Sequence, residues 1–266
     1  MVSIAMRLST NKVSGNVGLL GMSYLVCMVL SAAYTGGGRL FPAVPTLGQT
    51  LLLGAVSGVL YLAGFVIFQS SVEKNGIVLS ATFMKLGLLV PIVLSVCCFG
   101  ERPGVMQIAG FVLAVAAIIL INFERGQTAA KFRMSLIFLL LAGGGADAMS
   151  KVFEELGDIA LSNQFLFYTF LMATLLSAVL TIYKKDRLGK KEVFYGILVG
   201  IPNFFSAKFL LRALEFVPAV IVYPSYSVTT LLVVMLAGVA FFKERLGRRQ
   251  WAAIGIILVA MVLLNL

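Results

Sequence analysis

Nine long apolar runs constrain this chain more than any other feature of its sequence. Most are close to the length of about 20 residues that a helix needs to cross a hydrocarbon core of about 30 Å. Charged residues make up only 12% of the chain, about half of what a soluble domain carries. The sequence therefore predicts an all-α polytopic membrane protein with nine transmembrane helices. The runs cover residues 17–34, 49–70, 76–99, 105–122, 134–153, 164–183, 193–213, 218–242 and 248–266.

The basic residues indicate how the chain is oriented. When the loops are assigned alternately to two sides, fifteen Lys and Arg residues lie on one side and only Arg39 and Arg102 on the other. Cytoplasmic loops carry such an excess, so the N-terminus is predicted inside the cell and the C-terminus outside. A net charge of +10 spread over short loops is a topology signal and does not form a nucleic-acid-binding stripe. We expect the chain in the inner (plasma) membrane of a bacterial cell.

The sequence contains an internal repeat. A polar motif before run 105–122 recurs, 143 residues later, before run 248–266. Five crossings separate the copies, so they lie in opposite orientations. Inverted repeats are common in secondary transporters, with the substrate site at the repeat interface near the middle of the membrane. The matched residues are Glu101, Arg102, Gly104, Gln107, Ala109, Ala117, Leu120 and Asn122 with Glu244, Arg245, Gly247, Gln250, Ala252, Ala260, Leu263 and Asn265, and, at an offset of 142, Gly54, Gly58 and Glu73 with Gly196, Gly200 and Glu215.

The two copies differ in length, so the predicted bundle has four helices in the first copy and five in the second. The first repeat covers residues 17–126 and the second covers residues 132–266. Residues 1–16 form a polar N-terminal segment. We interpret this segment as the tail of a missing first helix, which predicts that the native start lies upstream.

Three stretches of the sequence carry recognisable motifs: the link Leu211–Ala219, the loop Lys243–Gln250 and its counterpart Phe99–Gln107. They are similar to motifs of the EamA-like branch of the drug/metabolite transporter superfamily. The resemblance extends over nearly the whole chain from about residue 17. It implies two inverted five-helix units around a central cavity and transport by alternating access. This chain departs from the pattern because its first helix is absent.

Charged residues inside the runs are the first candidates for a functional site, because a buried charge in a membrane normally faces a cavity or a partner. Lys85 lies about ten residues into run 76–99. It is interpreted either as a cavity-lining cation that meets an anionic substrate group or carries a coupling proton, or as a buried ammonium held by backbone carbonyls. Val228 stands at the equivalent position of the second copy, so the lysine is not a symmetric packing residue.

Asp147 and Lys151 are four residues apart in run 134–153, so they share a helix face and attract each other. They form either a structural pair or, with Asp147 as the carboxylate, a proton-coupling site. Glu101 and Glu244 are expected to brace the amides at the start of the following helices. The glycines at 143–145 are expected to permit close helix approach.

The remaining substrate-binding candidates lie in the second copy. Lys208 and Arg212 repel each other across one helical turn, so they either hold an anion or extend towards the outer interface. Tyr223 and Tyr226 flank Pro224, whose missing N–H loosens the helix and frees a carbonyl. Asn203, beside Pro202, is a further polar candidate.

Several classes of function are disfavoured. The chain has no histidine and no G-x-x-x-x-G-K-[ST] motif, and its three cysteines lack metal-ligand spacing. No metal and no cofactor are expected. The leading function is a secondary carrier for a small organic metabolite or a drug-like solute, coupled to an ion or an exchange partner. The alternatives are a non-transporting polytopic protein, a truncated carrier fragment or, less favoured, a membrane-embedded lipid enzyme. The expected partners are the metabolite and the lipid bilayer, with a homodimer as the one protein assembly considered.

Overall fold

The computed structural model describes residues 16–35, 40–75, 77–122, 134–186, 189–242 and 248–264. Over these residues the chain forms α-helices joined by short turns, which confirms the predicted all-α fold class. A single 3-10 turn, Ile159–Leu161, precedes α7. The helices are α1 (Asn16–Tyr34), α2 (Leu47–Asn75), α3 (Ile77–Leu86), α4 (Leu89–Cys98), α5 (Val105–Asn122), α6 (Met134–Leu156), α7 (Ser162–Tyr183), α8 (Lys190–Leu214), α9 (Ala219–Phe242) and α10 (Arg248–Leu264).

The helices occupy the nine predicted runs. Among the described residues, five segments are long and apolar enough to cross a membrane: Val17–Tyr34, Leu47–Val72, Leu136–Leu156, Ile159–Tyr183 and Lys190–Leu214. Shorter apolar segments, Phe83–Cys98, Val105–Leu120, Ala219–Val233 and Trp251–Leu264, fill the other four runs. The polar N-terminal segment, except for residue 16, and the loop that carries Glu244 and Arg245 lie outside the described residues.

The helices fall into two compact units. Unit 1 comprises Met1–Leu62 and Val152–Glu215, and unit 2 comprises Ala63–Lys151 and Phe216–Leu266. Each predicted repeat therefore contributes helices to both units. The chain leaves unit 1 within α2 and returns to it within α6.

In unit 1, glycines at the repeat positions let helices cross closely. Gly54 of α2 lies against α7, where a Cβ atom would come within 2.7 Å of the Cβ of Tyr168. Gly200 of α8 lies against α1, where a Cβ atom would come within 2.7 Å of a backbone carbonyl oxygen. Gly58 and Gly196 make the same two crossings one turn away. At the repeat offset, α1 corresponds to α7 and α2 corresponds to α8. The crossing of α2 with α7 is therefore equivalent to the crossing of α8 with α1, as an inverted repeat requires.

The core of unit 2 lies where α5 packs against α10. Ala114 and Ala117 of α5 are fully buried there with Ile257 and Ala260 of α10 and with Val228 of α9. Ala114 and Ile257 are separated by the repeat offset, and so are Ala117 and Ala260. α5 and α10 are equivalent helices of the two copies, and they meet through equivalent residues. A two-fold axis that relates the two copies produces such a contact.

Predicted run 76–99 is not one helix. α3 ends at Leu86 and α4 begins at Leu89. Pro91 explains the interruption, because it has no N–H and its ring crowds the carbonyl of the residue four positions earlier, Gly87. The Gly87 carbonyl accepts a hydrogen bond from the Val90 N–H at 2.9 Å instead. Unit 2 therefore contains a discontinuous helix.

Candidate functional site

The interruption between α3 and α4 is packed closely against α6. A Cβ atom on Gly87 would lie 2.8 Å from the backbone nitrogen of Gly144, so only glycines allow the two backbones to approach this far. The close approach predicted for residues 143–145 is thereby confirmed at Gly144. One turn from this contact on α6 lies Asp147, and two residues from it on α3 lies Lys85.

Lys85 and Asp147 form a pair of opposite charges in unit 2. Lys85 lies in the last turn of α3, where the partial negative charge of a helix C-terminus favours a cation. Asp147 lies in the middle of α6, and both side chains are half-buried. The ammonium and the carboxylate interact electrostatically with each other. The structure therefore brings these two predicted charges into the same unit.

Tyr223 of α9 holds the backbone of this site. Its side chain is 1% exposed, and its hydroxyl donates a hydrogen bond of 2.8 Å to the carbonyl oxygen of Asp147. Tyr226, on the other side of Pro224, is 39% exposed. The two tyrosines that the sequence grouped together therefore have different surroundings, and Tyr223 is the one that fixes the position of Asp147.

Lys151 lies one turn from Asp147 and forms an ion pair with a residue outside the predicted site. Its Nζ lies 3.0 Å from Oε1 of Glu101, and the Lys151 and Glu101 side chains are 4% and 14% exposed. The Glu101 carboxylate also accepts hydrogen bonds from the backbone N–H groups of Ala219, at 3.0 Å, and Val220, at 3.3 Å. Glu101 thus braces helix N-terminal amides as expected, but those of α9; the expectation that they belong to the following helix, α5, was wrong.

The surroundings of Glu101 favour its charged form. Burial alone raises the pKa of this carboxyl group, but the hydrogen bond from the Ala219 N–H and the neighbouring Lys151 ammonium outweigh that effect. The net result is a pKa below the usual range for glutamate. Glu101 therefore remains an anion across the physiological pH range.

Four charged residues of unit 2 lie in this part of the molecule: Glu101, Lys151, Asp147 and Lys85. The sequence predicted an attraction between Asp147 and Lys151 on α6. The structure gives Lys151 a tertiary partner, the Glu101 carboxylate.

The other three predicted residues lie on α8 in unit 1. The Nζ of Lys208 lies 3.5 Å from the centroid of the Tyr34 ring, a cation–π contact. Arg212 is exposed and forms an ion pair with Glu215. Asn203 is half-buried and lies near Cys27 of α1, whose thiol donates a hydrogen bond of 3.2 Å to the carbonyl oxygen of Gly200. Lys208 and Arg212 therefore have different partners, despite their shared helix face.

Sequence reasoning missed three features of these sites. It did not connect Glu101 with Lys151 or Tyr34 with Lys208, because residues far apart in the chain carry no pairing signal in a single sequence. The interruption had a signal, since Gly87 precedes Pro91 by four residues, the spacing at which proline disturbs a helical carbonyl.

A model of the EamA-like transporter family matches residues 134–266, which is half of the chain. The chain belongs to the EamA-like transporter family. A curated relative, an uncharacterized protein of Haemophilus influenzae, is 27% identical to this EamA-like chain over 203 residues, which cover 74% of this chain and 69% of the relative. A solved structure described as a crystal structure of a protein has a TM-score of 0.76 at 15% identity, over 98% of this chain and 91% of that one. At this identity the likeness supports the fold alone.

Proposed function

We propose that this protein is a secondary carrier that moves a small organic metabolite by alternating access, with Lys85 and Asp147 at its substrate site. The family places the chain among membrane transporters of the drug/metabolite type. The proposal adds a mechanism and a site to that assignment. It places the protein in the plasma membrane of a bacterial cell.

The observation that supports this site is the charge pair beside the discontinuous helix. Discontinuous helices recur at the substrate sites of secondary transporters, because an interrupted helix exposes backbone groups where a ligand can use them. Charged residues within membrane segments likewise mark substrate or ion pathways. Lys85 and Asp147 combine both features within one unit.

The other candidate residues have less direct roles in this proposal. Tyr223 positions the backbone of Asp147, and Lys151 holds Glu101. Lys208, Arg212 and Asn203 belong to unit 1, where Lys208 contacts the Tyr34 ring and Arg212 pairs with Glu215. We assign the first recognition of substrate to Lys85.

A thermal-shift screen of the purified protein tests the proposal. The panel contains carboxylates (glucuronate and glutamate), their neutral counterparts (glucuronamide and glutamine) and a cation (choline). A ligand at a hundredfold excess over its Kd stabilises the folded protein by about 2.7 kcal/mol. We expect stabilisation by one chemical class, loss of that shift in Lys85→Met, and retention of it in Lys184→Met, an exposed lysine at the end of α7.

Uptake by the protein in liposomes completes this test. The stabilising compound should exchange across the membrane in counterflow, with labelled compound outside and unlabelled compound inside. A folded protein that neither binds nor exchanges any panel compound would contradict the proposed function.

A further inference from the structure

The C-terminal ends of α1 and α8 carry aromatic and basic side chains that contact one another within unit 1. The Nζ of Lys208 lies 3.5 Å from the centroid of the Tyr34 ring. That ring packs in turn against Phe204 and Phe205, with centroid distances of 5.4 and 5.9 Å, and Phe204 is fully buried. A lysine side chain is normally flexible, so the ring contact holds this ammonium group in one place.

Lys208 carries its charge without a neighbouring carboxylate. The ion pairs of the described residues do not include it. Glu215 pairs instead with Arg212, which lies one turn beyond Lys208 on α8 and has a side chain that is 64% exposed. These two cations and one carboxylate leave a net charge of +1. Because a charge in a membrane segment normally meets a partner, the end of α8 is suited to a monoanion.

The position of Lys208 along α8 agrees with an anion at headgroup level. It lies six residues before the last residue of the helix, Leu214, which is about 9 Å along the helix axis. A lysine side chain can extend over such a distance towards the interface while its methylene groups stay in apolar surroundings. Tyrosine is also enriched at this level of a membrane protein, and Tyr34 is 46% exposed.

An exposed apolar stripe continues from Lys208 along the same face of α8. It consists of Phe209, Phe205, Ile201 and Leu198, which are three or four residues apart. Phe209, Ile201 and Leu198 are 66%, 42% and 40% exposed, and the Phe205 and Phe209 rings are stacked at 5.9 Å. From Phe209 to Leu198 the stripe extends about 16 Å, which is about half of a hydrocarbon core of about 30 Å. Its length therefore matches the acyl chains of one leaflet.

We propose that unit 1 binds an anionic phospholipid, with its phosphodiester at Lys208 and an acyl chain along the stripe of α8. The Lys208 ammonium donates hydrogen bonds to the phosphate oxygens while the Tyr34 ring keeps it in position. A zwitterionic phospholipid fits less well, because its own ammonium adds a positive charge where two are already present. This site lies in unit 1, so the proposal does not depend on a substrate site at Lys85 and Asp147 in unit 2.

The first experiment is a lipid titration of the purified full chain in a neutral detergent, with bound molecules counted by native mass spectrometry. The ligands are phosphatidylglycerol, phosphatidylethanolamine with the same acyl chains, and soluble glycerol phosphate. One phosphatidylglycerol molecule should bind at least about fivefold more tightly than phosphatidylethanolamine, the value of one lysine beside an anionic lipid. Glycerol phosphate, which lacks acyl chains, should not bind in the same concentration range.

The second experiment repeats the titration with matched variants. Lys208→Met should weaken phosphatidylglycerol binding by about fivefold, to the level of phosphatidylethanolamine. Lys191→Met, which removes an exposed lysine at the other end of α8, should bind as wild type does. Tyr34→Leu should weaken binding by about two- to fivefold because the ammonium loses its ring contact, whereas Tyr34→Phe keeps the ring and should retain wild-type affinity.

Equal affinity of the wild-type protein for phosphatidylglycerol and phosphatidylethanolamine would overturn the proposal. Wild-type affinity of Lys208→Met or of Tyr34→Leu for phosphatidylglycerol would do the same. Glycerol phosphate that binds as tightly as phosphatidylglycerol would assign the site to a soluble anion and would also overturn it. If Lys208→Met does not fold, the wild-type preference among the three ligands decides the question.

Discussion

The ion pair between Glu101 and Lys151 provides a quantitative test of the structure. The perturbation is Glu101→Gln, which keeps the size of the side chain and one acceptor oxygen but removes the charge. Lys151 is 4% exposed, so its ammonium would remain buried without this carboxylate. Breaking a buried ion pair from one side costs about 3–5 kcal/mol. Because Glu101 is itself 14% exposed, we take the lower end, about 3 kcal/mol.

The reverse substitution should cost less. Lys151→Met leaves Glu101 with the two N–H groups of Ala219 and Val220 and with the positive end of α9. We expect a loss of about 1–2 kcal/mol. The double variant removes both charges, so it should be more stable than Glu101→Gln alone, and the difference from additivity measures the coupling.

The assay is thermal unfolding in detergent, followed by the fluorescence of Trp251. This residue is the single tryptophan of the chain and lies on α10 in unit 2. At about 2–4 °C per kcal/mol for a chain of this size, Glu101→Gln should lower the Tm by about 6–12 °C. A shift below about 2 °C, or a double variant that simply adds the two losses, would refute the buried pair.

The same carboxylate predicts how stability depends on pH. Its pKa is lower in the folded protein than the usual value, so its contribution is present above the unfolded pKa of about 4.3 and is lost as pH falls through the folded value. The Tm difference between wild type and Glu101→Gln should therefore be constant from about pH 7 to pH 5.5 and shrink below about pH 4. A difference that persists unchanged at the lowest pH would contradict the assignment to this charge.

Three further comparisons test the helix packing. Gly58→Ala places a Cβ atom 2.8 Å from the Cβ of Met172 and should cost about 1–3 kcal/mol in a thermal melt. Its control, Gly255→Ala, meets open space and should be neutral or stabilise the protein by up to about 1 kcal/mol. Equal shifts would argue against the crossing of α2 and α7. Gly144→Ala should abolish ligand-induced stabilisation because it forces α6 away from Gly87, while the neighbouring Gly143→Ala, whose nearest atom lies at 3.5 Å, should retain it. Pro91→Ala restores a backbone N–H at residue 91, which can donate a helical hydrogen bond to the Gly87 carbonyl and join α3 to α4. The variant should melt no lower than wild type but exchange substrate at least about tenfold more slowly. An unchanged exchange rate would show that transport does not need the interruption.

Much of the fold could be predicted from the sequence, because the bilayer imposes a length and a composition on every crossing. The nine runs and the repeat follow from local composition and from self-comparison, and neither requires knowledge of packing. The role of Gly144 was also predictable, since small residues mark close helix contacts. The family motifs, which are short stretches of sequence, indicated a transporter in the same way.

The site was only partly predictable. Lys85, Asp147 and Lys151 could be selected because charges are rare inside apolar runs. Their partners could not, because each pairing depends on which helices meet: Lys151 with Glu101, and Lys208 with Tyr34. The sequence also grouped Tyr223 with Tyr226, and tertiary packing separated them.

By itself, the sequence determined the apolar runs, the repeat and the few charges that lie inside those runs. These properties depend on the free energy of placing each segment in lipid, which is a local quantity. The tertiary structure alone decided which charges neutralise one another. That choice depends on the distances between helices, and here two glycines, Gly87 and Gly144, set the contact that brings α3 to α6.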